Sequence, residues 1–447
     1  MSRTQVSCGV DLGSSNIKVV AVLPDGTVVA RRSRSTPRRD NHPTIDAEQL
    51  LGVVEDILID LVGEDWVIAA VCVAGVGEDG VPVAADGHAI KEALAWFDPR
   101  RTDAYDQLPA AVRMAAVRSV TGVQLDPSRT LVGWSWFKSS GQPECTAWMA
   151  LTDYPASRWT GRSFMSDTLA SRTAAWNPRT GAWLQDVVTA TLGDPNLLGP
   201  VLPAGEILGP LTSAALNNEK VLAPGAMVVV GGHDHPIAAS LVERMRPGAV
   251  LDSMGTAEVV VRSATELGAA LTEVDASVSV SAGLGGRRAT LLAVAELARN
   301  ISWAMRSGET IKQAMDGLLR GTIALADISN PQELFVQSDP AGHSPVWTPA
   351  ARQASPVERA SAALTVCAFN SWHMIDMVRA ETDAPVFATG GWTRSPGWMA
   401  ARRSLDRRPL EVLPEPEVTA VGAALIAGDA LGWSQMCRTR SDIRSIE

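Results

Sequence analysis

Asp11-Leu12-Gly13-Ser14-Ser15-Asn16-Ile17-Lys18 is the stretch from which the fold is read. Before it, Val6 to Asp11 is rich in small and apolar residues and reads as a buried strand. After it, Ile17 to Leu23 is β-branched and apolar and reads as a second strand. A dinucleotide-binding turn is followed by a helix rather than a strand, and the GxxxxGK[ST] pattern of a P-loop is absent. Pro24-Asp25-Gly26 then signals a tight turn, and Thr27 to Ala30 begins a third strand. The chain therefore opens on an antiparallel meander. Its first turn offers backbone N–H groups and two serine hydroxyls, which phosphate oxygens need. Asp11 at the strand end can hold Mg2+ directly or through water. Lys18 adds a cation, although its strand position can point it elsewhere. An ordinary tight hairpin is the plain alternative.

Outward from this hairpin, Asp46 to Leu61 has helical spacing (Leu50, Val53, Val54, Ile57, Leu61), and Val67 to Val73 is another buried strand. From about Asp98 to Gly225 the chain is mixed and Trp-rich. Ala226 to Val230 is an apolar strand ending at Gly231-Gly232, with the next helix expected near Pro236, and Pro247-Gly248 is a plausible hinge. The second half repeats the theme. Ala249 to Asp252 is a strand, Ser253 to Thr256 a turn and Ala257 to Arg262 a strand. Ala360 to Arg379 forms a long helix, Val386 to Thr389 a strand ending at Gly390-Gly391, and Thr419 to Gly428 a small-residue helix. The pattern suggests an internal duplication, with one domain over residues 1–246 and another over 247–447.

The 447 residues are 46% hydrophobic and 20% charged, enough for two or three packed domains and too apolar for a disordered chain. The net charge of −10 argues against nucleic acid as a partner. The one basic run, with Arg31, Arg32, Arg34, Arg38 and Arg39, is diluted by Asp40, Asp46 and Glu48 and reads as a solvated strand end and loop. Five scattered cysteines (Cys8, Cys72, Cys145, Cys367, Cys437) form no CxxC pair and suit a reducing compartment. Cys8 and Cys72 lie in apolar runs and read as small core residues. No apolar leader and no uninterrupted apolar span of about 20 residues is present, so a cytoplasmic protein with no membrane contact is expected.

Three further stretches carry chemistry. Gly231-Gly232-His233-Asp234-His235-Pro236 delivers a carboxylate to the end of a strand, well placed to accept a proton from a hydroxyl. Adjacent residues of an extended strand face opposite ways, so His233, Asp234 and His235 are not expected to converge on a metal ion. The plainer alternative is that Asp234 caps the following helix. Ser253-Met254-Gly255-Thr256-Ala257 mirrors the first turn, and Gly390-Gly391-Trp392-Thr393-Arg394 gives close access to backbone.

In this order and spacing these motifs resemble the FGGY carbohydrate kinases over residues 5 to 430. Asp11 to Ser15 with Lys18 resembles the family's first phosphate motif, and Trp96-Phe97-Asp98-Pro99-Arg100 its segment at the sugar cleft. Ala170-Ser171-Arg172-Thr173 and Trp176 to Gly181 resemble its middle block, and Gly232-His233-Asp234 the loop with the catalytic aspartate. Gly255-Thr256 resembles the second phosphate motif, Trp347 to Arg352 its W-x-P-x-A-R segment, Gly390-Gly391 the adenosine motif, and Ala420 to Ala424 the closing helix. Two places depart. Ser404 and Arg407 stand where an acidic residue and a glycine are usual, and Gly77-Glu78-Asp79-Gly80 replaces the sugar loop of xylulose kinases.

The resemblance implies an α/β protein of two ribonuclease-H-like domains, the actin-like ATPase superfold, closing on a cleft. It implies an enzyme using ATP and Mg2+ to phosphorylate a hydroxyl of a small-molecule ketose or polyol, and it leaves a homodimer open. Asp234 would be the catalytic base and Asp11 the metal-positioning carboxylate. Gly13, Ser14, Ser15, Lys18, Gly255, Thr256, Gly390 and Gly391 would hold the nucleotide. Glu78, Asp79, Trp96, Asp98, Arg100, His233 and His235 would face the sugar. The plain reading of Glu78-Asp79 is a solvated acidic turn. A catalytically idle sugar-binding regulator on the same fold is the alternative function.

Overall fold

Strands β1 (Thr4–Leu12), β2 (Asn16–Val22) and β3 (Val28–Ser35) form the expected meander, with β1–β2 and β2–β3 antiparallel and Asp11 opposite Lys18. Helix α1 (Ala47–Val62) starts at Asp46, whose side chain accepts the Glu48 and Gln49 amide protons as an N-cap. Strand β4 (Trp66–Gly75) runs parallel to β1, so the chain needs the α1 crossover. Two later strands, β5 (Ile207–Pro210) and β6 (Leu222–His233), complete a sheet of order β5-β6-β4-β1-β2-β3. The central strands are largely buried, β4 as an almost wholly apolar run, because both faces of the parallel core are covered. The Trp-rich middle packs a separate cluster in which Trp183 lies 4.9 Å from Trp176 and 6.1 Å from Trp134.

The computed structural model describes residues 3–38, 43–141, 145–285, 288–339, 341–379, 383–405 and 409–433. Arg39, Asp40, Arg407 and Cys437 lie outside them. Helix α2 (Asp234–Met245) follows β6 directly. This corrects two expectations: β6 continues through both glycines to His233, and the helix begins at Asp234 rather than near Pro236. The second half contains β7 (Val250–Met254), β8 (Glu258–Ala264), β9 (Ser279–Ala282), β10 (Ala289–Ala295), α3 (Leu297–Arg306) and α4 (Glu309–Leu319). Helix α5 (Pro356–Val378) opens with a capping box between Ser355 and Glu358 and a proline in its first turn. Then come β11 (Val386–Thr389), α6 (Pro396–Leu405), β12 (Leu410–Val412) and α7 (Val418–Ala430). The second sheet has the order β9-β10-β8-β7-β11-β12.

The duplication is visible in the two sheets. The neighbours β3-β2-β1-β4-β6 correspond to β10-β8-β7-β11-β12. In both, the opening hairpin is antiparallel and the next two strands are added in parallel. The chain divides into two compact units, Met1–Met245 with Ser263–Thr290 and Glu417–Glu447, and Arg246–Arg262 with Leu291–Pro416. Within the first unit, α7 lies against β1 so closely that a Cβ on Gly9 would overlap the Ala420 carbonyl. Its small residues permit that approach. Cys8, Cys72 and Cys367 are buried and unpaired, as core residues. Among the described residues no helix is long and apolar enough to cross a membrane.

Candidate active site

The end of β6 is held by buried hydroxyls. Ser166 and Thr168 bond each other at 2.7 Å, and Thr168 Oγ1 accepts the His233 amide proton at 3.0 Å. Gly232 has φ +138°, and a Cβ there would overlap both hydroxyl oxygens. Only glycine lets the strand pass and deliver Asp234 at its tip. There Asp234 Oδ1 accepts the His235 amide proton at 2.7 Å. His233 Nε2 stands 3.2 Å and His235 Nδ1 3.5 Å from the same oxygen, and the two rings meet edge-on at 5.0 Å. The sequence expectation that these three side chains diverge is therefore wrong. Strand alternation stops at His233, and the first helical turn brings the next two residues to the same side.

The electrostatics suit a base that works near neutrality. Burial and the nearby Glu78 carboxylate push Asp234 up to about 7. Burial, then Arg172, pulls His235 down to about 4 and His233 well below the usual histidine range. Both imidazoles are therefore neutral where Asp234 titrates, and Asp234 can take up a proton from a hydroxyl.

The first turn lies in the same unit. Gly13 N–H donates to Asn16 O at 3.1 Å, Thr36 Oγ1 to Gly13 O at 2.7 Å, and Arg38 Nη2 to Ser14 O at 2.8 Å. Trp96 Nε1 donates to Ser14 Oγ at 3.1 Å, which ties the expected sugar segment to the expected phosphate turn. Ser15 is exposed. Burial and Asp234 push Asp11 up to about 7 against the lowering pull of Lys18. Lys18 Nζ itself pairs with Glu417 at 2.7 Å. Asp98 is buried, and both its oxygens are engaged by Arg100 through Nε at 3.0 Å and Nη2 at 2.7 Å.

Glu78 and Asp79 are buried, so the solvated-turn reading fails. The two differ sharply. Glu78 Oε1 accepts from Arg172 Nη2 at 2.6 Å and from Arg129 Nη1 at 3.1 Å. Although burial pushes it up, these guanidiniums hold the Glu78 carboxyl below the usual carboxylate range. Asp79 is 1% exposed, and neither oxygen completes a hydrogen bond of good geometry, although the Trp96 backbone N–H is near enough to pull its pKa down slightly. Its nearest cation is Arg101 at 3.6 Å, whose N–H groups are already donated to the carbonyls of Glu78, Leu94, Ala95, Ser128 and Arg129. Burial pushes Asp79 up to about 7. The acidic loop adjoins the Asp234 loop, since a Cβ on Gly77 would stand 2.8 Å from His233 Cδ2 and 2.9 Å from Arg172 Cγ.

The second unit brings its own two motifs together. Trp392 Nε1 donates to Gly255 O at 3.0 Å, joining the β7–β8 turn to the loop after β11. Gly255, Thr256, Gly390 and Gly391 are all exposed. Gly390 has φ +96° and lies against Met254, where a Cβ would overlap the Met254 carbonyl. At Gly255 the nearest atom to a Cβ is Ala257 O at 3.6 Å, so its lack of a side chain leaves open space rather than relieving a clash.

Residues 6–240 match the model of the N-terminal domain of the FGGY family of carbohydrate kinases. The chain belongs to this family. The kinase is thus a transferase acting on an alcohol group, and kinases of this family use ATP. L-fuculokinase of Escherichia coli K12 is 25% identical over 96% of the chain and 92% of that protein. Xylulose kinase of Streptomyces coelicolor is 26% identical over 81% and 74%. In structure the kinase is similar to the xylulose kinase of Lactobacillus acidophilus, with a TM-score of 0.83 at 16% identity over 99% and 93% of the chains. It is also similar to Plasmodium falciparum glycerol kinase with ADP, with a TM-score of 0.79 at 14% identity over 96% and 90%. The fold is the actin-like ATPase fold.

Sequence reasoning missed the arginines around this kinase's site. Arg38 was read with a solvated basic run, yet it bonds the Ser14 carbonyl and covers the Phe97 ring at 5.0 Å. Arg32 and Arg34 are exposed as expected. Arg101, Arg129 and Arg172 are buried, and only Arg172 sat in a recognised motif. Ser404 donates to Ala401 O at 2.8 Å, an ordinary helix-end bond.

Proposed function

We propose that this kinase transfers the γ-phosphoryl group of ATP to a hydroxyl of a ketose or polyol, with Asp234 as the general base. The observation that carries this is the partly exposed Asp234 carboxylate, raised to about 7 beside two neutral imidazoles and bound by no arginine. Its oxygen takes the hydroxyl proton as the hydroxyl oxygen bonds to phosphorus and the bond to the departing diphosphate breaks. Little covalent work falls to the protein beyond this, so orientation and charge neutralisation dominate. The backbone N–H groups and hydroxyls of Gly13 to Ser15 serve the phosphates in the first unit, and Gly255, Thr256, Gly390 and Gly391 hold the nucleotide in the second. Relatives named L-fuculokinase, xylulose kinase and glycerol kinase span ketoses and a polyol, and support that substrate range.

Asp11 is the residue that fits Mg2+. It is a half-buried carboxylate whose raised pKa marks an incompletely neutralised charge, and Mg2+ binds through one or two carboxylates while keeping waters. When bound, the ion supplies positive charge against the phosphates. For the sugar, Asp79 offers two buried acceptor oxygens, while Glu78 orients Arg129 and Arg172. Trp96, Asp98, Arg100, His233 and His235 complete the sugar side. The test is a coupled ADP assay across ketoses and alditols. Substrate-dependent ADP release with at least one of them is expected. Release no faster than the sugar-free rate across the panel would overturn the reading in favour of an idle sugar-binding regulator.

A further inference from the structure

We propose that His233, Asp234 and His235 form a three-ligand site for a borderline transition-metal cation such as Zn2+, and that filling it shuts the kinase off. The inhibitory half rests on Asp234 being the base; the binding half stands on geometry alone. One oxygen, Asp234 Oδ1, lies 3.2 Å from His233 Nε2 and 3.5 Å from His235 Nδ1. Zinc bonds of about 2.0–2.1 Å in a tetrahedron put ligand atoms about 3.3–3.4 Å apart, so both distances match an edge of that polyhedron. All three ligand atoms fall within 4.8 Å of one another. This is the one group of three such side chains with that geometry among the described residues.

The donor set selects the ion. Two imidazoles and one carboxylate suit zinc, nickel or copper, whereas Mg2+ prefers oxygen ligands and its own waters. Millimolar Mg2+ therefore does not compete for this site. Access is open, because the Asp234 and His235 side chains are 23% and 27% exposed. The neighbouring guanidiniums of Arg172 and Arg129 oppose a cation here, and their ion pairs with Glu78 and Asp126 offset that in part. Three protein ligands leave a fourth position for water, an open rather than a closed structural coordination. Affinity is limited by His233 Nδ1, which is buried with no hydrogen-bond partner. Metal-bound histidines normally donate that second N–H, and missing supports of this kind cost about 10–100-fold in affinity. Once coordinated, the Asp234 lone pair no longer accepts the sugar proton.

The experiment is calorimetric titration of zinc chloride into the full-length, nucleotide-free protein with Mg2+ present, followed by turnover at fixed free zinc. One equivalent should bind, with binding weakened at least about tenfold in His235→Ala and in Asp234→Asn, since a lost ligand costs at least as much as a lost support. Circular dichroism checks the fold, and His235→Gln replaces His235→Ala if the latter unfolds. No binding at millimolar zinc, or binding unchanged in both variants, overturns the site. Zinc that binds in the wild type, weakens in the variants and leaves turnover untouched keeps the site but overturns Asp234 as the base, so the two claims fail separately.

Discussion

The two halves of the molecule open on the same hairpin and use its carboxylates in opposite ways. In β1–β2, Asp11 faces Lys18 across the ladder, is half-buried, and has no arginine bonded to it. Burial and Asp234 leave it at about 7. In β7–β8, Asp252 and Glu258 are fully buried and stitched together by Arg402 at 2.8 and 2.7 Å. Trp372 and Trp398 lie 5.0 and 5.6 Å from that guanidinium. One hairpin keeps a carboxylate underneutralised and within reach; the other spends its carboxylates on holding a core together. Strand order does not separate an unstitched carboxylate from a stitched one; the position of the arginines does.

The largest effect should follow from removing the unstitched carboxylate proposed as the base. Asp234→Asn is expected to lower turnover by about 10²–10⁴-fold while the unfolding midpoint stays near wild type. A variant keeping more than half the wild-type turnover would remove Asp234 from the base role and break the contrast at its centre.

The complementary change is Arg402→Met in the other hairpin. Taking the cation from between two buried carboxylates typically costs about 3–5 kcal/mol. The expected outcome is a large loss of stability in chemical denaturation, with ATP affinity unchanged in whatever folds. Unchanged stability with lost ATP binding would make the second hairpin a functional cluster and erase the distinction.

Much of this was legible in the chain, for reasons that differ by region. The meander showed because β-branched runs and Pro24-Asp25-Gly26 are local signals. The duplication showed because both halves repeat strand, turn, strand and a later glycine pair. Asp234 showed because it follows a buried strand and paired glycines. Its meeting with His233 and His235 did not show, because it depends on where β6 gives way to α2, and strand alternation was carried two residues too far. The fates of Glu78 and Asp79 were equally hidden. They are set by Arg101, Arg129 and Arg172, which lie 22 to 94 residues away in sequence and are brought in only by packing.

A smaller effect tests whether the unstitched carboxylates behave as a class. Asp234 must be ionised to accept a proton, so kcat/KM should fall about tenfold per pH unit below about 7. Stability should move the other way. Asp11, Asp79 and Asp234 all have folded pKa values raised from the ordinary carboxylate value to about 7. The folded state therefore binds these protons more tightly than the unfolded one. That contribution is fully present below about pH 4 and is lost as pH rises through about 7. Rate and thermal midpoint measured across neutral pH should thus cross in opposite directions. A rate limb near pH 4 instead would mean that Asp234 is held ionised as Glu78 is, which its guanidiniums keep below the usual carboxylate range.

The smallest effect separates two neighbouring residues by the same rule. Glu78 is bound by two guanidiniums, as Asp252 and Glu258 are by one, whereas Asp79 is as buried but completes no hydrogen bond of good geometry. A buried acceptor without a partner is costly, and it persists where a ligand supplies the missing donor. A sugar hydroxyl is such a donor. Asp79→Asn keeps shape but weakens the acceptor, so it should raise the KM for the sugar about five- to tenfold, the worth of roughly 1 kcal/mol, with turnover at saturation little changed. Glu78→Gln should shift that KM by less than about twofold and instead lower the thermal midpoint, because Arg129 and Arg172 lose their counter-charge in a buried place. Both need measuring on the same substrate, with the midpoint recorded beside each KM. Should Glu78→Gln alter sugar affinity while Asp79→Asn alters only stability, arginine stitching would not mark structural carboxylates here, and the contrast between the two hairpins would lose its generality.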